Sequence, residues 1–469
     1  MTRTSGRHGD QERKPTPEEE LGFTHVQSAH GISEYVLNAN GLKVVLMEDH
    51  SKPVFTYLQM FRVGSRNEKP AGLFSALSRQ ARVNLSGTTG VFHFLEHLMF
   101  KGTEKHNPEN GTGVFETFGP LGMLLNATTF FDRTSYFECV SAQHFETPIE
   151  VEADRMRNLL LHSGPVESER GVVLEEMSMR GKDPDRIMFG KMFETAFQEH
   201  PYRWTAIGLR PDVENVTLPQ IRACYDTYLW PNNCVIVCRG AVENIVVLAA
   251  IARHYANIPR SPQPIPLVFD VEPPQEAERR FEVRKSGDLP RVWLGFHVPE
   301  SSQDDTYALA VIARILGGSS NPDSRLYSAL VENGLVADAG CSQLEFRDPG
   351  LFTIETTLTP KTSVEKVESV LLSELARLSQ EPVSEEELAF ARAANRVSTV
   401  LGLQDPMQWV KWICEGESAV GDWRWQVEFD DLFDEVTSED VMRVAGKYFT
   451  ETNRTVGVFI PTNSDSEES

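Results

Sequence analysis

The sequence predicts an α+β protein built from two tandem, similar units, and three observations carry that reading. At 469 residues the chain is too long for one compact core. A proline-rich stretch, Ile258-Pro-Arg-Ser-Pro-Gln-Pro-Ile-Pro-Leu through Glu272-Pro-Pro-Gln-Glu, lacks helical periodicity and reads as an extended linker near the middle. Past it the order of strands and helices begins again, as an internal duplication requires.

Taken in order, residues 1–20 are polar, charged and proline-containing and read as a disordered tail, as does the acidic segment 463–469. The folded units then span 21–257 and 281–462, with 258–280 as linker. Tyr35 to Met47 reads as two strands about an Asn40-Gly41 turn, and Thr56 to Val63 as a third. Thr134 to Val140 is strand-like by its β-branched and aromatic content. Helices are expected at Pro148 to Leu161, Val166 to Arg180 and Leu218 to Tyr228, then a strand at Cys234 to Cys238 and a helix at Ile245 to Tyr255. The second unit offers strands at Arg291 to Phe296, Leu351 to Leu358 and Thr455 to Ile460. Its helices are Tyr307 to Leu316, Val364 to Leu378, Ser384 to Leu401 and Ser438 to Tyr448. Trp409, Trp412, Trp423 and Trp425 stand at helix-like spacing among apolar residues and read as core or dimer contacts.

Composition narrows the function. Lys plus Arg is 45 against 68 for Asp plus Glu, a net charge of −23, which argues against a nucleic-acid role resting on bulk charge. Such a surface weakly favours basic or neutral peptides. No apolar run is long enough to span a bilayer. Met1 to Glu20 has neither the apolar core of a secretion signal nor the acid-poor character of a transit peptide, so a cytoplasmic location is expected. Six scattered cysteines read as buried free thiols of a reducing compartment, with Cys234 and Cys238 on one face of a core strand.

The chemistry is concentrated in His93-Phe94-Leu95-Glu96-His97. On a helix His93 and His97 stand one turn apart on one face, which suits two ligands of one metal ion. Glu96 shares that side and can reach a water on the same ion. A hydrolytic zinc site takes three protein ligands and keeps a position for water, so a third ligand is needed downstream. The helix Val166 to Arg180 carries Glu169 and Glu176 two turns apart on one face, whereas Glu175 points away from them. The second unit has no such motif.

These residues, with Asn126-Ala127-Thr128-Thr129, Arg62-Val63-Gly64-Ser65-Arg66-Asn67-Glu68, His200-Pro201-Tyr202, Trp230-Pro231-Asn232-Asn233, and Gly317-Gly318 with Ser324-Arg325-Leu326, resemble the M16 zinc metallopeptidases. That family includes pitrilysin, insulin-degrading enzyme and mitochondrial processing peptidase, and the size matches its half-length, two-domain branch. The resemblance runs from about Gly22 to about Thr462. It implies two tandem homologous domains, each a mainly antiparallel sheet flanked by helices, of the LuxS/MPP-like metallohydrolase fold. It further implies one Zn2+ per chain held by His93, His97 and Glu176, with Glu96 as general base. Glu169 matches a second acidic position that orients a ligating histidine, Asn126 and Ala127 a segment that holds substrate backbone, and His200 a position near the substrate chamber.

The chain departs from the family pattern twice. Leu73 to Ser86 intervenes before the metal-binding motif, as a surface insertion or as a lid over the site. Active single-type members also carry an Arg and a Tyr in the second half that grip the substrate, where this chain has Val331 and Ala337. The expectation is a zinc-dependent endopeptidase of peptides or unfolded segments, working as a homo- or heterodimer in which another M16 chain supplies the grip. The alternatives are a structural or assembly subunit of the same family and a zinc-dependent peptide-binding protein. The complete set of His93, Glu96, His97 and Glu176 favours catalysis over a scaffold.

Overall fold

The computed structural model describes residues 14–69, 87–318 and 320–462. The insertion Leu73 to Ser86, residues 1–13 and the acidic segment 463–469 therefore lie outside the described residues.

A seven-stranded sheet forms from Phe23–Ala29 (β1), Ile32–Leu37 (β2), Leu42–Glu48 (β3), Val54–Phe61 (β4), Leu124–Thr129 (β5), Thr134–Ser141 (β6) and Cys234–Gly240 (β7). Its order is β1-β2-β3-β7-β4-β6-β5, antiparallel except where β3 meets β7. A five-stranded sheet forms from Arg279–Ser286 (β8), Arg291–Val298 (β9), Val336–Gln343 (β10), Gly350–Leu358 (β11) and Arg454–Thr462 (β12). Its order is β10-β11-β9-β12-β8, with β12 and β8 parallel. The helices of the first half are Pro17–Glu20 (α1), Val91–Leu98 (α2), Val114–Phe118 (α3), Glu146–Asn158 (α4), Ser163–Arg180 (α5), Pro184–Ala196 (α6), Arg210–Asn215 (α7), Leu218–Tyr228 (α8) and Asn244–Tyr255 (α9). Those of the second are Asp305–Leu316 (α10), Val364–Gln380 (α11), Glu385–Leu403 (α12), Pro406–Ala419 (α13), Trp423–Glu435 (α14) and Ser438–Tyr448 (α15). No helix among the described residues is long and apolar enough to cross a membrane. The tandem α+β reading holds.

Side-chain alternation along the strands divides each sheet into two buried faces. In the first sheet Val44, Tyr57, Cys234, Ile236 and Cys238 face α2, α4, α8 and α9, while Val45, Leu58, Val235 and Val237 face the other way. That second face is covered by Met407, Trp409, Val410, Ile413, Cys414 and Trp423 of α13 and α14, which belong to the other half of the chain. The exchange is reciprocal: α6, from the first half, sets Met188, Met192, Phe193 and Ala196 against Trp293, Leu351 and Phe459 of the second sheet. Trp409 and Trp423 are thus core residues.

Three expectations are corrected. The tail ends before residue 17, because Thr16 and Glu19 close a capping box around the turn Pro17–Glu20, with proline at its first position. The linker ends at 278, since β8 begins at Arg279 and pairs with β12. It is also tied down: the Glu272 carboxylate accepts from the amides of Gln198, Glu199 and His200 at 2.9 to 3.0 Å. Two of the cysteines, Cys139 and Cys341, are only partly buried.

Candidate functional site

Helix α2 starts where the chain turns sharply at Gly90, whose φ of +85° is left-handed. Gly208, at φ +79°, lies back to back with it, and a Cβ there would stand 2.5 Å from the Gly90 backbone. Only two glycines allow the loop 205–209 this close to the start of α2. Glu68 then caps α2, accepting from the Gly90 and Phe92 amides at 2.7 and 2.9 Å. Apolar residues Phe92, Phe94, Leu95 and Leu98 bury the helix and fix its rotation. His93 and His97 consequently face α5, with ring centroids 4.8 Å apart.

Helix α5 answers with both of its singled-out carboxylates. Glu176 Oε2 lies 3.5 Å from His93 Nε2 and 3.6 Å from His97 Nε2. Donor atoms of these three residues all fall within 4.8 Å of one another, and among the described residues they form the one group of this kind that could hold a metal ion. Glu169, buried, reaches His97 Nδ1 at 3.2 Å with one oxygen and pairs with Lys101 through the other. Glu175, about 100° round α5 from Glu176, is exposed. Arg180 donates to Glu176 Oε1 at 2.8 Å. Glu96 is held by the Thr129 hydroxyl, which donates to its Oε2 at 2.6 Å.

Without a metal the site's charges are unevenly held. Burial pulls His93 down to about 4. Burial also acts to lower His97, but the hydrogen bonds to Glu169 and Glu176 outweigh it and lift the group to about 9. The His97 hydrogen bond, with the nearby His93 and Arg180, lowers Glu176 to about 2. Burial raises Glu96 above the usual carboxylate range, in part against the Thr129 hydrogen bond.

Asn126 and Ala127 lie on β5, the edge of the first sheet, and β5 ends at Thr129, the residue that holds Glu96. The Asn126 carboxamide oxygen accepts from the Ala127 amide at 2.9 Å. His200 stands elsewhere: its Nε2 lies 3.0 Å from Asp348 of the second half, and its Nδ1 accepts from the Tyr202 amide at 3.1 Å. Arg66 pairs with the same Asp348 at 2.8 Å, so this histidine fastens the two halves together. Val331 ends a π-helical turn, Tyr327–Val331, and Ala337 is exposed on β10. Arg325 is spent on Glu387 at 2.6 Å. Sequence reasoning missed Thr129, Lys101 and Arg180. The last two are legible in hindsight, each four residues after a site residue on its own helix or just beyond it; a threonine facing a carboxylate leaves no such pattern.

Comparison with known proteins agrees with this architecture. The family model described as Insulinase (Peptidase family M16) matches residues 78–208, and that of the Peptidase M16 inactive domain matches 215–395. The chain is 28% identical over 436 residues to the zinc protease PqqE of Helicobacter pylori, covering 92% of this chain and 93% of that protein. It is 24% identical over 376 residues to the mitochondrial-processing peptidase subunit beta of Blastocladiella emersonii, covering 78% and 79%. A crystal structure of a protease from Helicobacter pylori superposes with a TM-score of 0.82 at 27% identity, covering 92% of this chain and 99% of that one. The two family matches together span more than half of the sequence, and the chain belongs to peptidase family M16, in its half-length, two-domain branch.

Proposed function

We propose that this chain is a zinc-dependent endopeptidase, the zinc-bearing subunit of a dimer, in which His93, His97 and Glu176 hold one Zn2+ and Glu96 is the general base. The observation that carries the reading is the convergence of both imidazole Nε2 atoms on one Glu176 oxygen at 3.5 and 3.6 Å. Ligands about 2.0 to 2.1 Å from a tetrahedral zinc stand about 3.3 to 3.5 Å from one another, which the two histidine–Glu176 separations nearly match, and all three donor atoms lie within 4.8 Å of one another. Two neutral imidazoles and one carboxylate leave the ion a net Lewis acid. When bound, it would polarise a peptide carbonyl and bring the pKa of a water towards neutrality.

The protein's own groups do the rest. Glu169 accepts a hydrogen bond from the Nδ1–H of His97 and so fixes Nε2 as the ligating atom. Burial raises the affinity of Glu96 for a proton, as suits a group that accepts one from the attacking water and returns it to the leaving amine. Thr129 sets the carboxylate's orientation. The edge strand β5 offers Asn126 and Ala127 to an extended peptide that adds as a further strand beside the metal. Absence of an Arg and a Tyr at Val331 and Ala337 supports a second M16 chain as the source of the substrate grip, in a homo- or heterodimer. A cytoplasmic site of action belongs to the same proposal and is supported by six free cysteines.

The test is zinc content and peptide hydrolysis on one sample, for the chain alone and mixed with a second M16 chain. Zinc bound with activity in the mixture, and loss of hydrolysis with zinc retained in Glu96→Gln, is the expected result. Zinc bound with no hydrolysis in any mixture would replace the peptidase with a peptide-binding protein.

A further inference from the structure

A cavity of about 620 Å³ opens directly beside the catalytic groups, and its lining does not match the rest of the chain. It begins at Thr129, which holds Glu96, and at Arg180, which holds Glu176. A peptide crossing the metal passes about 3.3 to 3.6 Å of chain per residue, so a side chain in this cavity lies within a few residues of the bond to be cut. The walls are mostly apolar and include Phe130, Ile187, Phe189 and Ile207, all half-buried. Room and surface of this kind suit one bulky apolar side chain.

The charges around it are the unusual part. Arg180, Arg186, Lys191 and Arg203 line the cavity against a single carboxylate, Glu194. Lys191 is paired with Glu194 at 2.7 Å, and Arg180 is committed to Glu176. Arg186 and Arg203 are exposed and make no ion pair among the described residues. On a chain with a net charge of −23, the cavity is thus lined by two exposed guanidinium groups that have no carboxylate partner among the described residues, Arg203 donating only to the Gln198 carbonyl at 3.2 Å.

We propose that this cavity is a specificity pocket for a large apolar substrate residue flanked by carboxylate, which Arg186 and Arg203 select. The proposal rests on the peptidase reading, and it runs against what bulk charge predicts, namely a preference for basic peptides. The carboxylate can come from Asp or Glu side chains or from a peptide C-terminus, and both meet a guanidinium in the same way.

The test uses the full-length Glu96→Gln chain, loaded with zinc, and labelled peptides carrying Phe flanked by Glu, Gln or Lys. The Glu peptide is expected to bind about tenfold tighter than the Lys peptide at low salt, with the gap narrowing as salt rises. Replacing Phe by Ala should weaken binding by about tenfold. In the double variant R186E/R203E the order of Glu and Lys peptides should invert. R186Q and R203Q, which keep the side-chain shape, should each reduce the preference by about two- to threefold if the double variant does not fold. Loss of binding on amidating the peptide C-terminus, with internal Glu making no difference, assigns the carboxylate to the terminus. Equal binding of all three peptides with no loss on amidation, or binding unchanged in the Arg variants, overturns the proposal. The unmutated chain mixed with a second M16 chain separates the two readings: no turnover of any peptide sinks the peptidase, whereas turnover with no charge preference sinks only the pocket.

Discussion

Replacing Glu169 by Gln tests how the site is held, because the substitution keeps the shape and removes the charge. Glu169 is buried and divided between His97 Nδ1 at 3.2 Å and Lys101. A hydrogen bond to a charged partner contributes about 1.5 to 3 kcal/mol, which translates into a loss of roughly 10- to 100-fold in zinc affinity. A second effect opposes the first. The same carboxylate helps lift His97 to about 9 in the metal-free chain, so at about pH 7 zinc must displace a proton held some two units too tightly, a penalty of about 2.7 kcal/mol. Glu169→Gln relaxes that proton as well as the ligand. The sign follows: near pH 7 the variant recovers part of its loss through the easier deprotonation, while above about pH 9, where His97 is already neutral, the full loss appears. The assay is a zinc competition titration against a chromophoric chelator at both pH values. A penalty that shrinks as pH rises would refute the reasoning, since it would mean that Glu169 serves the proton more than the metal.

Three further outcomes are expected. Thr129→Val removes the hydrogen bond that favours ionised Glu96, so the acid limb of the pH profile of kcat/KM should move up by about one unit. Gly208→Ala forces a side chain into a left-handed position 2.5 Å from the Gly90 backbone, and should destabilise the chain by about 3 kcal/mol or more, read as a lowered Tm with zinc content falling in parallel. Glu417→Ala strips a fully buried carboxylate on α13 from Lys43 at 2.7 Å and Arg62 at 3.0 Å across the two halves. Because both cations still reach solvent, the loss should fall near the low end for a broken buried pair, about 3 kcal/mol, visible in the urea midpoint.

What was legible in the sequence was whatever helical or strand period writes down. His93, Glu96 and His97 declare themselves by spacing, Glu169 and Glu176 share a helix face but are singled out only by the family resemblance, and the structure brings both glutamates to the two histidines. Strands with β-branched cores such as β3, β4 and β7 were equally plain. β10, Val-Ala-Asp-Ala-Gly-Cys-Ser-Gln, was not, because small and polar residues carry little strand preference at a sheet edge. β8 was lost against the proline-rich stretch that precedes it, and β5 was not singled out as a strand, which its pairing with β6 makes it. The reciprocal exchange of α6 with α13 and α14 had no signature at all: an apolar stripe says that a helix face is buried, not which sheet buries it.

That exchange sets the mechanics of the molecule. To swing the halves apart like a clam, the chain would have to withdraw Met407, Trp409, Val410, Ile413, Cys414 and Trp423 from the first sheet, at roughly 1.5 to 3 kcal/mol for each large side chain. The sum is on the order of 10 kcal/mol before α6 is counted, as much as an entire domain's stability. A hinge within the chain is therefore closed to thermal motion, and the two halves travel as one rigid jaw.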